Sequence, residues 1–209
     1  DTSDQFALEM ALARIRQLSA HEVGHTIGLA HNFAASTKGR SSVMDYPHPT
    51  LSIKDEKIDF TDAYDTKIWD WDKVSIAYSY SEFKTDEDAN LKSILNDAFN
   101  NGARFITDQD ARPLGSAHAY AHLWDNGSDV SVELENLLLI RKNAIANFSK
   151  DNIKSNQPYS VLEDVFVPLY FLHRYQTEGV AKVIGGLDYT YAIKDDGNTI
   201  VKRIPGKLE

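Results

Sequence analysis

The feature that most constrains this chain is a group of histidines near its start. His21 and His25 are four residues apart with Glu22 beside the first, and a third histidine, His31, follows six residues later. In an α-helix, side chains four residues apart lie one above the other, so these two imidazoles can reach the same ion. The apolar and helix-favouring residues over 6–18 predict that this helix occupies about the first thirty residues.

Gly28 decides whether His31 can join the pair. A continuous helix would place His31 roughly 600° round from His25 and about 9 Å further along, on another face. Glycine readily adopts the left-handed conformation that ends a helix and reverses the chain. We therefore predict that the helix ends at Gly28 and that the chain then returns His31 to the same ion.

Composition limits both the ligands and the partners. The 209-residue chain has no cysteine, which excludes disulfides and sulfur metal sites, so any metal must be held by His, Asp or Glu. With 22 Lys and Arg against 31 Asp and Glu, its formal net charge is −9, and it lacks the basic excess that drives binding to phosphate groups. Its apolar stretches are far shorter than the ~20 residues of a membrane helix. We expect neither a nucleic-acid partner nor a membrane span.

Three imidazoles and a carboxylate at this spacing favour a hydrolytic metal site. Zinc held by three protein ligands keeps one position for water and lowers the pKa of that water to about 7. A nearby carboxylate can then take the proton as the water attacks a carbonyl group. Glu22, next to His21 on the helix, is the candidate base. Mn²⁺, Co²⁺ and Ni²⁺ also accept three imidazoles as ligands.

These residues resemble the extended HExxHxxGxxH signature of the metzincin zinc endopeptidases, with a match at every fixed position. The matching residues are His21, Glu22, His25, Gly28 and His31. The resemblance implies that the three histidines bind Zn²⁺ and that Glu22 activates the water.

A second segment, at 42–46, resembles the metzincin Met-turn. In this family the methionine, here Met44, forms an apolar floor beneath the metal. In two metzincin branches a tyrosine two residues later binds zinc or stabilises the oxyanion, and Tyr46 has that position. A tyrosine beside Pro47 can instead simply pack or hydrogen-bond locally. His48 is a weaker candidate for contact with a substrate.

A looser likeness continues to about residue 83. Metzincin catalytic domains often close with a helix that carries an Asp, an Ile and a Tyr, and Asp72, Ile76 and Tyr78 have this arrangement. With its long helical continuation, the chain is most similar to a bacterial family of large, exported metzincin-like proteins. The resemblance implies a protein or peptide substrate and a periplasmic, secreted or outer-surface location.

The predicted fold is mainly α with minor β. The acidic run at 84–88 divides a metzincin lower catalytic subdomain, residues 1–84, from a helical C-terminal extension, residues 85–209. The segment 33–59 is predicted as loop. The predicted helices after the first are 65–83, 89–100, 132–148 and 159–175. Strands at 189–193 and 199–204, around a turn at 195–198, predict a closing β-hairpin.

The beginning of the chain departs from the family pattern. Metzincin domains place a sheet-containing subdomain of about a hundred residues before the active-site helix, and its edge strand binds extended substrate. Only twenty residues precede His21, and the chain starts at Asp1 without a signal segment. We expect a C-terminal fragment whose cleft is completed by the remaining N-terminal part of the same polypeptide.

Two other hypotheses stay open. The chain is alternatively a metal-stabilised interaction module, in which the helical extension docks partners, or a protease homologue that has lost activity. Glu22 argues against the first, because a structural metal site has no use for a base. A fourth protein ligand would favour it, since structural zinc sites are closed.

Other candidate sites are weaker. His118 and His122 are also four residues apart, but they lack a Glu and a third ligand, and we expect packed or polar side chains. Aspartates at 108–110 and 125–129 offer oxygen ligands for Ca²⁺ without the full spaced set, which favours ordinary turns. Aromatic residues at helical spacing over 69–83 are more typical of a core than of a substrate cleft.

Overall fold

The computed structural model describes residues 2–198 and 200–205, with side chains from residue 5 onward. Asp1, Thr199 and residues 206–209 lie outside the described part, and Thr199 is the first residue of the last predicted strand. The helices are α1 (Thr2–Thr26), α2 (Asp70–Tyr80), α3 (Glu87–Asn100), α4 (Asp108–Ala111), α5 (Val130–Ala146), α6 (Val161–Tyr170) and α7 (Arg174–Val183). The strands are β1 (Ser52–Lys54), β2 (Lys57–Asp59), β3 (Leu187–Tyr189) and β4 (Val201–Arg203). The predicted class, mainly α with minor β, is confirmed.

Helix α1 ends as its sequence predicts. Gly28 has φ 85°, in the left-handed region. Its amide donates to the carbonyl of His25 at 3.0 Å, and the amide of Leu29 donates to the carbonyl of Gly24, also at 3.0 Å. This pair of bonds is the Schellman motif, which satisfies the last carbonyls of a helix while the chain reverses. The reversal directs His31 back toward α1.

The segment predicted as a loop over 33–59 contains a small hairpin, and that prediction is corrected here. Strands β1 and β2 pair antiparallel, with Ile53 opposite Ile58. The two turn residues, Asp55 and Glu56, have φ of 49° and 62°. A two-residue turn with both φ positive matches the twist of paired strands, but Gly and Asn are its usual residues. Asp-Glu therefore gives no hairpin signal in the sequence.

The predicted helix over 159–175 is two helices. Helix α6 ends at Tyr170 and α7 begins at Arg174, whose amide donates to the carbonyl of Phe171 at 2.9 Å. Pro168 lies inside α6 and has no N–H to donate to the carbonyl four residues back, which weakens the turn just before the break. Both helices pack on α5.

The closing strands pair antiparallel; β3 lies earlier in the chain than predicted, whereas β4 lies within its predicted range. Leu187 lies opposite Arg203, and Tyr189 opposite Val201. Tyr191 was predicted as strand. Its hydroxyl instead accepts from the amide of Thr107 and donates to the carboxylate of Asp110. The side chain of Tyr191 is thus bonded to the α4 region, and the pairing with β4 ends at Tyr189.

The largest group of buried apolar side chains draws on both predicted domains. Its buried members are Phe33, Ala34, Ile106, Ala111 and Ala121, and Tyr46, Leu123 and Tyr189 pack against it. The division at residue 84 stays a prediction, but residues from both sides of it share this core. Within the described ranges, the helices lack the combination of length and apolar character that a membrane crossing requires.

Candidate metal centre

The structure brings the three histidines of the signature together. His25 Nε2 lies 3.0 Å from His21 Nε2 and 3.1 Å from His31 Nε2. His21 is buried at 5% exposure, whereas His25 is exposed and His31 is half-buried. In the described part of the chain they are the group of His, Cys, Asp or Glu side chains whose donor atoms are close enough to hold one metal ion.

The outer nitrogens of the three rings show that these residues fit a metal. His21 Nδ1 lies 2.6 Å from the carbonyl of Val43, and His25 Nδ1 lies 3.0 Å from the carbonyl of Leu29. His31 Nδ1 lies 2.8 Å from Asp108 Oδ2. Carbonyl and carboxylate oxygens only accept hydrogen bonds, so each Nδ1 acts as the donor and Nε2 is the nitrogen left to bind a metal. The three Nε2 atoms face one another, an arrangement that a bound cation would stabilise.

Burial also favours the neutral form of the innermost ligand. Burial lowers the pKa of His21, against the opposing effect of its bond to the Val43 carbonyl, and the neighbouring histidines lower it further. A neutral imidazole is the form that binds a metal.

Met44 packs against helix α1 at Gly24, between the first two histidines. Its side chain is 1% exposed. A Cβ on Gly24, between the first two histidines on α1, would overlap the Met44 sulfur. The absence of a side chain at position 24 thus lets the methionine reach the helix backbone.

Asp72 fixes the Met-turn to the start of α2. This carboxylate is 1% exposed and accepts bonds from Ser42 Oγ at 2.6 Å and from the amide of Val43 at 3.1 Å. It also accepts from the amide of Trp69 at 2.7 Å, which caps the helix. Asp72 is one of the residues of the looser metzincin likeness, and its contacts explain how α2 supports the site.

Tyr46 lies against the histidines. Its ring centroid is 4.6 Å from that of His31 and 5.3 Å from that of His21. Trp124 stacks on its other side at 5.1 Å, with an interplanar angle of 20°, and Arg112 Nη2 lies 3.4 Å from the tyrosine hydroxyl. Two residues of the predicted extension, Trp124 and Arg112, therefore contact Tyr46.

Glu22 faces an open cavity beside the metal ligands. The cavity has a volume of about 270 Å³, and Glu22, His21, Tyr46, Trp124 and Arg14 are among its lining residues. Glu22 itself is exposed. Glu22 and the predicted ligand His21 thus line the same cavity, which is large enough to admit a water and part of a peptide.

Three side chains of this site lie outside the predicted motif: Asp108, Arg112 and Trp124. Asp108 is 77 residues from His31 along the chain, so helical periodicity gives no sign of their contact. Trp124 has φ 59°, which is unusual for a bulky residue and marks a constrained position. That conformation cannot be read from the sequence. No local signal identifies these residues as members of the site.

The second pair of histidines does not form a metal site. His118 and His122 belong to a non-helical segment, so their spacing does not place them on one face. His118 Nε2 lies 2.9 Å from the carbonyl of Tyr189, and His122 Nε2 lies 3.4 Å from Glu178 Oε2. Burial lowers the pKa of both histidines, that of His122 to about 4. They are packed side chains, as expected.

The aspartates considered for calcium have structural partners. Asp110 accepts bonds from the hydroxyls of Tyr189 and Tyr191, at 2.6 and 2.8 Å. Asp129 caps α5 by accepting from the amides of the residues two and three positions later. Asp125 is buried at 2% exposure. Asp129 is thus a helix cap, whereas 108–110 lie in the short helix α4 and not in the ordinary turn that the sequence favoured.

Two other weak candidates also lie away from the histidines. His48 lines a neighbouring cavity of about 250 Å³, and it is not among the residues that line the cavity of Glu22. Trp71 is 8% exposed and stacks on Phe105 at 5.3 Å, so it belongs to the core.

The fold and the site together are typical of a class of metal-binding proteins. The candidate site combines an HExxH helix, a glycine turn, a third histidine and a turn with a buried methionine. A family model described as Met-zincin matches residues 3–208, and the chain belongs to this family. Among curated proteins and solved structures, none matches the chain.

Proposed function

We propose that this chain carries the catalytic centre of a zinc metalloendopeptidase. The observation that supports this most is the convergence of three Nε2 atoms beside an exposed glutamate that faces an open cavity. His21, His25 and His31 would hold the ion. When bound, Zn²⁺ acidifies a water and polarises a carbonyl group.

The protein's own residues supply the remaining steps. Glu22 takes a proton from the attacking water and later gives it to the leaving amine. The hydroxyl of Tyr46 donates to the oxyanion that develops on the attacked carbonyl, an interaction that strengthens in the transition state. Trp124 and Arg112 hold the tyrosine for this role. Met44 supports the floor of the site.

The ligand count favours an enzyme over a metal-stabilised interaction module. Among residues 5–198 and 200–205, the group suited to a metal contains three histidines and no fourth His, Asp or Glu. Structural zinc sites are usually closed by four protein ligands, whereas catalytic sites keep one position open. A peptide substrate belongs to this proposal. So does an exported location, which the family resemblance alone supports.

The test separates metal binding from catalysis. Glu22→Gln should keep one zinc per chain, because Glu22 is not a ligand, and should lose about 10²- to 10⁴-fold in peptide hydrolysis, the usual contribution of a general base. His25→Ala should lose the metal. Metal content and hydrolysis of a peptide library would be measured on this chain.

Glu9→Gln is the matched control, because Glu9 is exposed on the same helix and bonds only Gln5 among the described side chains. It should leave both quantities unchanged. Hydrolysis that survives Glu22→Gln would refute the mechanism. A zinc-loaded polypeptide in which neither wild type nor Glu9→Gln cleaves any peptide would favour the inactive homologue.

A further inference from the structure

We propose that Asp108 is a positioning residue of the metal centre, which fixes the ring of His31 so that its Nε2 faces the ion. This inference rests on the proposed metal site, and it extends that site into the segment beyond residue 84. Asp108 does not touch the ion or the substrate, and acts through His31.

His31 differs from the other two ligands in what holds it. His21 and His25 lie on α1, and their Nδ1 atoms bond backbone carbonyls. His31 lies in the non-helical segment after Gly28, and its Nδ1 bonds a side chain, Asp108 Oδ2, at 2.8 Å. Its ring orientation therefore depends on a group that a single substitution can remove.

The carboxylate of Asp108 is itself held at both oxygens. Oδ1 accepts from Arg112 Nε at 2.8 Å, one helical turn later, and Oδ2 also accepts from Thr107 Oγ1 at 3.2 Å. Because the carboxylate cannot rotate freely, its bond to His31 has a defined direction. A carboxylate that accepts from the outer nitrogen of a ligand histidine fixes the tautomer and makes the ring a better donor to the metal.

The backbone brings this segment to His31 through several bonds. The amide of Phe33 donates to the carbonyl of Ile106 at 2.8 Å. The side chain of Asn32 donates to the carbonyl of Arg104 at 2.8 Å and accepts from the amide of Ile106 at 3.2 Å. Asn32 is fully buried. The contact between Asp108 and His31 is thus built into the core and is not an isolated surface pair.

The ion pair between Asp108 and Arg112 contributes little to folding. Asp108 and Arg112 side chains are 40% and 47% exposed, and exposed pairs add little to stability. Asp108→Asn keeps the size of the side chain, so the variant should fold and report on the metal site alone.

The experiment measures Zn²⁺ affinity by competition with a chromophoric chelator, and the absorption spectrum of the Co²⁺ form, for wild type, Asp108→Asn and Asp108→Glu. We expect Asp108→Asn to bind Zn²⁺ about 10- to 100-fold more weakly and to change the Co²⁺ spectrum. Asp108→Glu keeps the carboxylate and should recover part of the loss. Asp110→Asn is the matched control, because it neutralises a carboxylate of the same helix that accepts from two tyrosine hydroxyls and does not contact His31.

The relative metal affinities of these variants test the positioning role of Asp108. Weaker binding in Asp108→Asn alone, with partial recovery in Asp108→Glu, supports the positioning role. Equal affinities of Asp108→Asn and wild type overturn it while leaving the proposed function intact. Equal losses in Asp108→Asn and Asp110→Asn show a general effect of packing and also overturn it. Failure of wild type to bind Zn²⁺ or Co²⁺ refutes the proposed function and this inference together.

Discussion

Gly24 lies where the methionine of the Met-turn reaches the backbone of α1. The side chain of Met44 is almost fully buried there, and a Cβ at position 24 would overlap its sulfur and lie 3.3 Å from its terminal methyl carbon. Glycine inside a helix costs about 1 kcal/mol relative to alanine. The close approach of Met44 therefore explains why a residue that disfavours helix stands between two predicted metal ligands.

Gly24→Ala should destabilise the protein despite its better helix propensity. Overpacking a filled core typically costs about 1–3 kcal/mol, which outweighs or cancels the gain of about 1 kcal/mol. We expect a fall of up to about 2 kcal/mol in the free energy of unfolding, measured by urea denaturation. In a Met44→Ala background the same change should be neutral or stabilising, since the overlapping atom is gone. A similar loss in both backgrounds would show that Met44 is not the cause.

For single residues, the sequence predicts those contacts that depend only on near neighbours in the chain. The spacing of His21, His25 and His31 and the turn at Gly28 follow from helix geometry and glycine conformation, and the structure brings these residues together. The sequence offered Asp108 only as a possible oxygen ligand for Ca²⁺ in a turn, because its contact with His31 forms through tertiary folding. The same holds for Trp124 on Tyr46.

Both ends of helix α2 form hydrogen bonds with segments next to the candidate metal centre. At its start, Asp72 accepts bonds from the Met-turn and from its own cap. At its end, the hydroxyl of Tyr80 donates to the carbonyl of Ile27 at 2.7 Å, next to the glycine turn of α1. One helix therefore contacts both the Met-turn and the turn between His25 and His31.

Asp72→Ala should be one of the most damaging changes outside the histidines. It leaves the hydroxyl of Ser42 and the amides of Val43 and Trp69 without their acceptor, and each buried unsatisfied donor costs about 1–3 kcal/mol. We expect a loss of about 3–5 kcal/mol in the free energy of unfolding and weaker metal binding, measured by denaturation and chelator competition.

Asp70→Ala is the control for this prediction, because Asp70 lies in the same first turn but its pair with Lys73 is exposed. It should change stability by less than about 0.5 kcal/mol. If Asp72→Ala were as mild as Asp70→Ala, the tie between α2 and the Met-turn would carry little of the stability.

Elements were predicted well where amphipathic pattern and end signals agree. Helix α3 was predicted over 89–100 and runs over Glu87–Asn100, before the left-handed Gly102. The β1–β2 hairpin was missed because its turn uses Asp-Glu. It is held partly by α5, where Asn143 donates to the carbonyl of Glu56 at 2.9 Å. Asn143 and Glu56 are about 90 residues apart in the chain, so the hydrophobic pattern of a short sequence window cannot predict this contact.

Across the whole molecule, buried ionisable groups join the Met-turn to helix α7. Asp125 is 2% exposed, and its Oδ1 lacks a hydrogen-bond partner in the described part of the chain. Burial raises its pKa well above the usual range, and the neighbouring Asp45 raises it further, whereas Lys182 lowers it. Burial likewise raises the pKa of Asp45 to about 7 and lowers that of Lys182 to about 8.

These shifts predict how stability depends on pH. Unfolded aspartate ionises near pH 4, while folded Asp125 keeps its proton to higher pH, so over this window the native state holds the extra proton. Its contribution to the free energy of unfolding is therefore fully present below about pH 4 and is lost as pH rises, by at most about 1.4 kcal/mol per pH unit. His122 has the opposite effect between about pH 4 and 6.5, because burial lowers its pKa to about 4.

Asp125→Asn isolates the aspartate, since asparagine does not ionise and His122 remains in both proteins. We expect the stability of the variant minus that of wild type to increase as pH rises from 5 to 8, measured by urea denaturation at each pH. A constant offset reflects the altered hydrogen bonds of the amide, so the slope is the quantity that tests the prediction. Parallel curves for the two proteins would mean that Asp125 ionises at the same pH in both states. In that case water or local movement would have to solvate a carboxylate that is otherwise buried beside Gly179 of α7.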